Sequence, residues 1–169
     1  MLTVLRHLLA IFLLPFMAVV VVPRWLLSRG AGGELDGAGV TPLAWLARVI
    51  GVLAIALGFA LFAWCVTLFA RVGRGTLAPW DPTRNLVAIG PYQYVRNPMI
   101  LSVLLMLIGE ALVWRSWPVA AWAGVFFGIN HVYFILIEEP GAEGRLGEPY
   151  RTYKAHVPRW LPRRTPWKP

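Results

Sequence analysis

Two adjacent carboxylates, Glu138 and Glu139, close an uncharged run that begins at Trp117. Side by side at the C-terminal end of an apolar helix they repel each other and oppose the negative end of the helix dipole, so something cationic or rich in hydroxyls must face them. Arg96 or Arg145 could do this from within the protein, and a ligand carrying positive charge could do it from outside. On a helix Gly124, His131 and Glu138 recur every seven residues and share one face. His131 and Glu138 then stand about 10 Å apart along the axis. His131 is either a hydrogen-bonded packing residue or, with Glu139, a proton acceptor, and Glu110 is a third acidic candidate whose position at the far end of its own run favours a structural role. A second polar motif runs from Gly90 to Pro98. Gly90-Pro91 makes a turn, Asn97 is a good N-cap and Pro98 suits the first turn of a helix. The motif reads in two ways. It is an interfacial loop anchored by Tyr92 and Tyr94 with Arg96 snorkelling to water, or it is an anion site in which free helix-start amides and Arg96 hold a carboxylate.

The elements that must position these residues are apolar. Of 169 residues 58% are hydrophobic and only 14% charged, well below the roughly 25% charge of an ordinary soluble domain, and the apolar mass excludes a disordered chain. The lone cysteine, Cys65, rules out an intramolecular disulfide and a multi-cysteine metal site, and no metal is expected. Crossing about 30 Å of hydrocarbon takes about 20 apolar residues in a helix. Four runs approach this, at 8–27, 49–70, 99–114 and 117–137. The third is short and carries Glu110, so protein rather than lipid should shield it. The first could be a cleaved signal peptide, but its length, the Pro-Arg-Trp that follows and the missing A-x-A-like site favour a span.

The expected fold is all-α: residues 1–169 form one polytopic membrane domain, a bundle of about four transmembrane helices with a C-terminal tail folded over the site. Only Arg115-Ser116 separates the last two runs, which predicts a tight antiparallel hairpin. The basic residues of the N-terminus, the second loop and the tail (Arg6; Arg71, Arg74, Arg84, Arg96; Arg145 to Lys168) outnumber Arg24, Arg29, Arg48 and Arg115 on the other side. The positive-inside rule then puts both termini, and the polar segments 71–98 and 138–169, in the cytoplasm of an integral, multi-pass protein of a bacterial inner membrane. The net charge of +8 beside membrane spans is expected to meet lipid phosphate, not nucleic acid. Ser28 to Thr41 reads as a flexible glycine-rich connector. Small residues at Ala54 and Gly58, and at Ala120, Gly124 and Gly128, mark faces for close helix approach within the bundle, or in a homodimer.

The hairpin carries the two polar segments to one end of the bundle, where a site is expected. G-P-Y-Q-Y-V-R-N-P-M, a helical hairpin, then E-E-P-G-A-E-G-R-L-G-E-P-Y-R-T-Y-K-A-H-V-P-R-W-L-P-R resembles the isoprenylcysteine carboxyl methyltransferase and phospholipid methyltransferase family over Arg84 to Arg164. The resemblance implies an integral membrane enzyme that uses S-adenosylmethionine to methylate a lipophilic small molecule in the membrane. It also implies that Asn85, Leu86, Val87, Tyr92, Asn97, Pro98, Met99 and Ile100 surround the cofactor, that Glu138 contacts it, and that the basic tail closes over it. Members acting on prenylcysteine carry an arginine one turn before the glutamate pair. Phe134 stands there in this chain, so the acceptor stays open between a carboxylate, a phospholipid amine and another lipophile. Two other classes fit the bundle: a membrane sterol or enone reductase using NADPH, and a non-catalytic lipid-interacting bundle.

Overall fold

The computed structural model describes residues 12–31, 41–73 and 84–168. Every described element is helical. Helix α1 runs through three contiguous stretches, Phe12–Val21, Val22–Leu26 and Leu27–Ala31. The first contains Pro15 and is wound in wide turns. Proline lacks an N–H and its ring crowds the carbonyl one turn back, and a widened turn relieves that crowding. Gly30 leaves helical geometry at φ +85°, two residues after Ser28, where the connector is expected to begin. Residues 8–11 of the expected first span lie outside the described residues.

Helix α2, Pro42–Leu68 continued by Phe69–Gly73, begins ahead of the expected 49. Thr41 caps it by accepting the Ala44 amide at 3.2 Å, and Pro42 occupies its first turn, which makes Thr41 its physical start. A single tight turn, Gly90–Gln93, precedes helix α3, Pro98–Trp114. Arg115 then takes the left-handed conformation at φ 50° and Ser116 accepts the Val119 amide at 3.4 Å. Two residues thus reverse the chain into helix α4, as the spacing predicts. Helix α4 comprises Trp117–Tyr133, a wide-turned stretch Phe134–Glu138 and Glu139–Leu146. The glutamate pair does not end the helix. The wide stretch admits Pro140 without breaking the axis, so helix continues through Leu146, beyond the pair. After Gly147, at φ +62°, comes the short helix α5, Glu148–His156.

Helices α2 and α3 meet backbone to backbone. A Cβ on Gly51 would stand 2.6 Å from the Gly109 carbonyl oxygen, one on Gly109 would stand 2.6 Å from that of Gly51, and one on Gly58 would stand 2.8 Å from that of Ser102. Without aqueous hydrophobic driving force, such approach is what holds helices together in lipid. The stripe containing Ala54 and Gly58 thus does what its spacing predicts. The Ala120, Gly124 and Gly128 stripe makes no such approach within the bundle: a Cβ on Gly124 or Gly128 would meet nothing among the described residues, and the hairpin packs instead through Val103, Met106 and Leu107 against Ala123. Helix α1 is tied to α4 by the Trp122 indole, which donates to the Ala18 carbonyl at 2.9 Å.

Pro42–Gly73 and Trp117–Leu146 are long and apolar enough to cross a membrane, while Pro98–Trp114 is apolar but shorter. Leu53, Leu57, Phe59 and Trp64 on α2, and Ile129, Val132 and Leu136 on α4, point outward. Water would not tolerate so broad an apolar surface, and lipid would. These features fit a membrane protein.

Gly51→Val or Gly109→Val should lower stability in detergent by about 1–3 kcal/mol, the usual penalty for forcing atoms into a filled interface, whereas Gly124→Val should leave the melting temperature nearly unchanged. Equal melting temperatures for all three would show that the α2–α3 contact does not carry the fold.

Candidate functional site

Glu139 is the centre of the polar end. Only 3% exposed, its carboxylate receives Arg159 twice, Nε to Oε1 at 2.5 Å and Nη2 to Oε2 at 2.9 Å. Arg96 Nη1 lies 2.8 Å from Oε1 and Lys154 Nζ 3.5 Å from Oε2. Four parts of the chain meet there: the end of α4, the loop before α3, helix α5 and the tail. A carboxylate so far out of water persists only because cations surround it, and removing one partner from such a pair is costly. Lys154 also bonds Glu143 at 2.7 Å, and that hydrogen bond is the main cause raising its ammonium above the ordinary value.

The tail runs along the motif that precedes α3. Arg96 donates its amide to the Pro158 carbonyl at 2.9 Å, Arg163 to Tyr94 at 2.9 Å and Trp167 to Gln93 at 3.0 Å, an antiparallel pairing. The Tyr153 hydroxyl donates to the Tyr92 carbonyl at 2.7 Å. Burial pushes the Tyr153 hydroxyl well up, and it pushes Tyr150 to about 12 with Glu139 adding in the same direction. Both phenols therefore stay protonated as donors.

Beside this junction opens a cavity of about 530 Å³, within the range of small-molecule sites. Its polar end is formed by Arg96, Asn97, Glu138, Arg145, Tyr150 and Tyr153. Its other end is formed by Met17, Ala18 and Val22 of α1, Phe62 of α2, Val103 of α3 and Trp122 and Phe126 of α4. One wall suits a polar, charged molecule and the other a greasy one. Glu138 and Arg145 pair loosely across the rim at 3.5 Å, both partly exposed. Arg96 Nε, although buried, has no hydrogen-bond partner among the described residues. A buried charged donor without an acceptor is costly unless a ligand supplies one.

Of the residues singled out from sequence, Leu86, Val87, Tyr92, Arg96, Asn97, Met99, Ile100 and Glu138 line this cavity. Pro98 is buried at the start of α3 and supports its neighbours. Asn85 is placed elsewhere: exposed, it donates to the Val72 carbonyl at 3.1 Å and ties the loop to the end of α2. Asn97 occupies the N-cap position but makes no capping bond. Its Nδ2 reaches the Arg159 carbonyl at 3.4 Å instead. His131 is also off the cavity. Its Nδ1 accepts from the Trp160 indole at 2.9 Å, and its ring stacks on Phe127 at 5.8 Å. Glu139 has its oxygens taken by arginines. Neither side chain is on the cavity wall, and each is held by a partner from the tail. Glu110 likewise lies off the cavity. Tyr150, Tyr153 and Asn130 are lining residues that the sequence reading did not single out. The i, i+3 spacing of the two tyrosines, and the position of Asn130 one residue from His131, are the signals that could have found them.

The phospholipid methyltransferase family matches residues 46–147, which include α2 from its first turns, the whole hairpin, the glutamate pair and Arg145. The chain belongs to the phospholipid methyltransferase family. The resemblance seen at Gly90–Met99 and at the glutamate pair is thereby extended back through α2, and methyl transfer to a lipid-type substrate is the activity that this phospholipid methyltransferase relative shares with its family. No curated protein and no solved structure matches the chain.

Glu139→Gln should cost about 3 kcal/mol of stability, the lower end for breaking a buried ion pair, and should expose the segment after Leu146 to trypsin. Glu148→Gln, whose pair with Arg151 is exposed, should do neither. An unchanged digestion pattern in Glu139→Gln would show that the tail is held by its backbone pairing alone.

Proposed function

We propose that this protein is an S-adenosylmethionine-dependent methyltransferase whose acceptor is a lipophilic molecule drawn from the membrane. The observation that carries the reading is the two-ended cavity, in which Glu138 of α4 and Arg96 and Asn97 of the loop before α3 share a polar wall that continues into an apolar one.

The residues fit the cofactor. Glu138 can accept from ribose hydroxyls or face a positive group once its loose pair with Arg145 opens. The unpartnered Arg96 Nε suits a carboxylate. The Tyr92 ring, stacked on Phe69 at 5.4 Å, and Leu86 and Val87 offer apolar surface to a base. S-adenosylmethionine supplies an electrophilic methyl group on a sulfonium. What the chain contributes is alignment and dryness: α1, α3 and α4 enclose the apolar end, and the tail pairing fixes the loop that bears Arg96. The reading assigns no side chain of the cavity wall as an obligatory general base. The reading includes the orientation expected from charge, with the polar end facing the cytoplasm. A water-soluble cofactor would enter there, while a lipid would enter sideways between helices.

Calorimetry on the detergent-solubilised chain should show S-adenosylmethionine binding that Glu138→Gln weakens by about 10- to 100-fold, the worth of hydrogen bonds to a charged group. Undiminished binding by the variant would refute the role of Glu138. Stabilisation against heating by NADPH and not by S-adenosylmethionine would replace the methyltransferase reading with a reductase.

A further inference from the structure

Asn130 stands apart among the groups lining the cavity. It lies on α4 between Phe126 and Tyr133, in the stretch whose other face points outward, and it lines the cavity with them. Its Nδ2 donates to the Phe126 carbonyl one turn back at 2.8 Å. A carbonyl can only accept, so the atom facing it must be the nitrogen, and the amide orientation is fixed by chemistry. The remaining atom, Oδ1, is an acceptor, and no donor reaches it among the described residues. The nearby Trp122 indole cannot serve, because its N–H is committed to Ala18.

The hairpin sets the depth of this oxygen. Ala123 of α4 packs against Leu107 of α3, and seven residues further in each direction bring Asn130 level with Ile100. That is the first turn of α3, next to Asn97 and Met99 on the cavity wall. Asn130 thus stands where the polar end gives way to the apolar one. The half-buried amide oxygen opens on the cavity, so a ligand that fills the cavity and displaces water leaves it unmet unless that ligand supplies a donor.

We infer that Asn130 is a specificity-determining residue: its Oδ1 takes a hydrogen bond from the N–H or O–H of the lipophilic methyl acceptor, so the site favours amine- or hydroxyl-bearing lipids over carboxylates and ethers. This rests on the methyltransferase reading for the identity of the ligand as an acceptor. A carboxylate would bring a lone pair and negative charge against the amide oxygen, and an ether would leave that oxygen unmet. Selection arises because the wrong ligand leaves a polar atom unpaired.

The test uses the full chain in detergent with two probes that differ only in the donor, 1-dodecanol and 1-methoxydodecane. Affinities are read by quenching of intrinsic tryptophan fluorescence and corrected for each probe's partition into protein-free micelles. The wild-type protein should bind the alcohol about tenfold more tightly than the ether. Asn130→Leu should bring the ratio to about one, and it should leave S-adenosylmethionine affinity by calorimetry within about twofold of wild type. Asn130→Ser, whose hydroxyl can donate to Phe126 while its oxygen still accepts, should keep part of the preference, which guards against a leucine variant that fails to fold. Equal affinities in the wild type, or a preference that survives in Asn130→Leu, would overturn the inference. A wild-type protein that binds no S-adenosylmethionine but still prefers the alcohol would remove the methyltransferase reading and leave the donor-selective site in place.

Discussion

A carboxylate that is nearly sealed from water must be matched by positive charge, and the arrangement of the polar end follows from matching Glu139. Arg159, Arg96 and Lys154 come from three separate stretches of chain and converge on its two oxygens. Once they do, the tail has one course available, alongside Gln93 to Arg96. The loop before α3 is then held in register, and the side chains on its inner edge become a wall. Such a centre adds little net stability over an apolar substitute, because desolvating the ions consumes most of their attraction. What it confers is a single geometry for segments that share no backbone continuity.

The pair of glutamates divides its work. Successive residues on a helix point about 100° apart, and here one carboxylate faces the tail while its neighbour faces the cavity. The repulsion that makes an adjacent pair unfavourable at a helix end is resolved by giving each a different set of cations. Glu139 takes Arg96 and Arg159, and Glu138 takes only a long contact to Arg145. The tightly held one builds, and the loosely held one is free to exchange its partner.

Much of this was legible in the sequence. The uncharged runs gave the helices because a backbone in lipid has no other way to satisfy its polar groups, and the two residues between Trp114 and Ser116's successor left no alternative to a hairpin. That polar segments far apart in the chain would meet followed from that hairpin. The roles within the site were less legible. Which glutamate is sealed and which is accessible depends on helical phase after the wide turns at Phe134–Glu138, and a residue-level reading of period 3.6 does not foresee a widened turn. His131 carries the right chemistry for a proton acceptor, but Trp160, 29 residues later, claims it. Asn97 has the right type for a cap and lost that role to a tail carbonyl. In each case a contact distant in sequence overrode a local preference.

The glycine seam between α2 and α3 has a mechanical meaning. With backbone resting on backbone at Gly51, Gly58 and Gly109, those two helices have no compressible side-chain layer between them and must move as one plate. Helix α1 meets α4 through the Trp122 indole on the Ala18 carbonyl, and among the described residues no glycine seats its backbone on a neighbour. The α2–α3 pair is therefore a rigid backplate, against which the side-chain layers of the hairpin are laid.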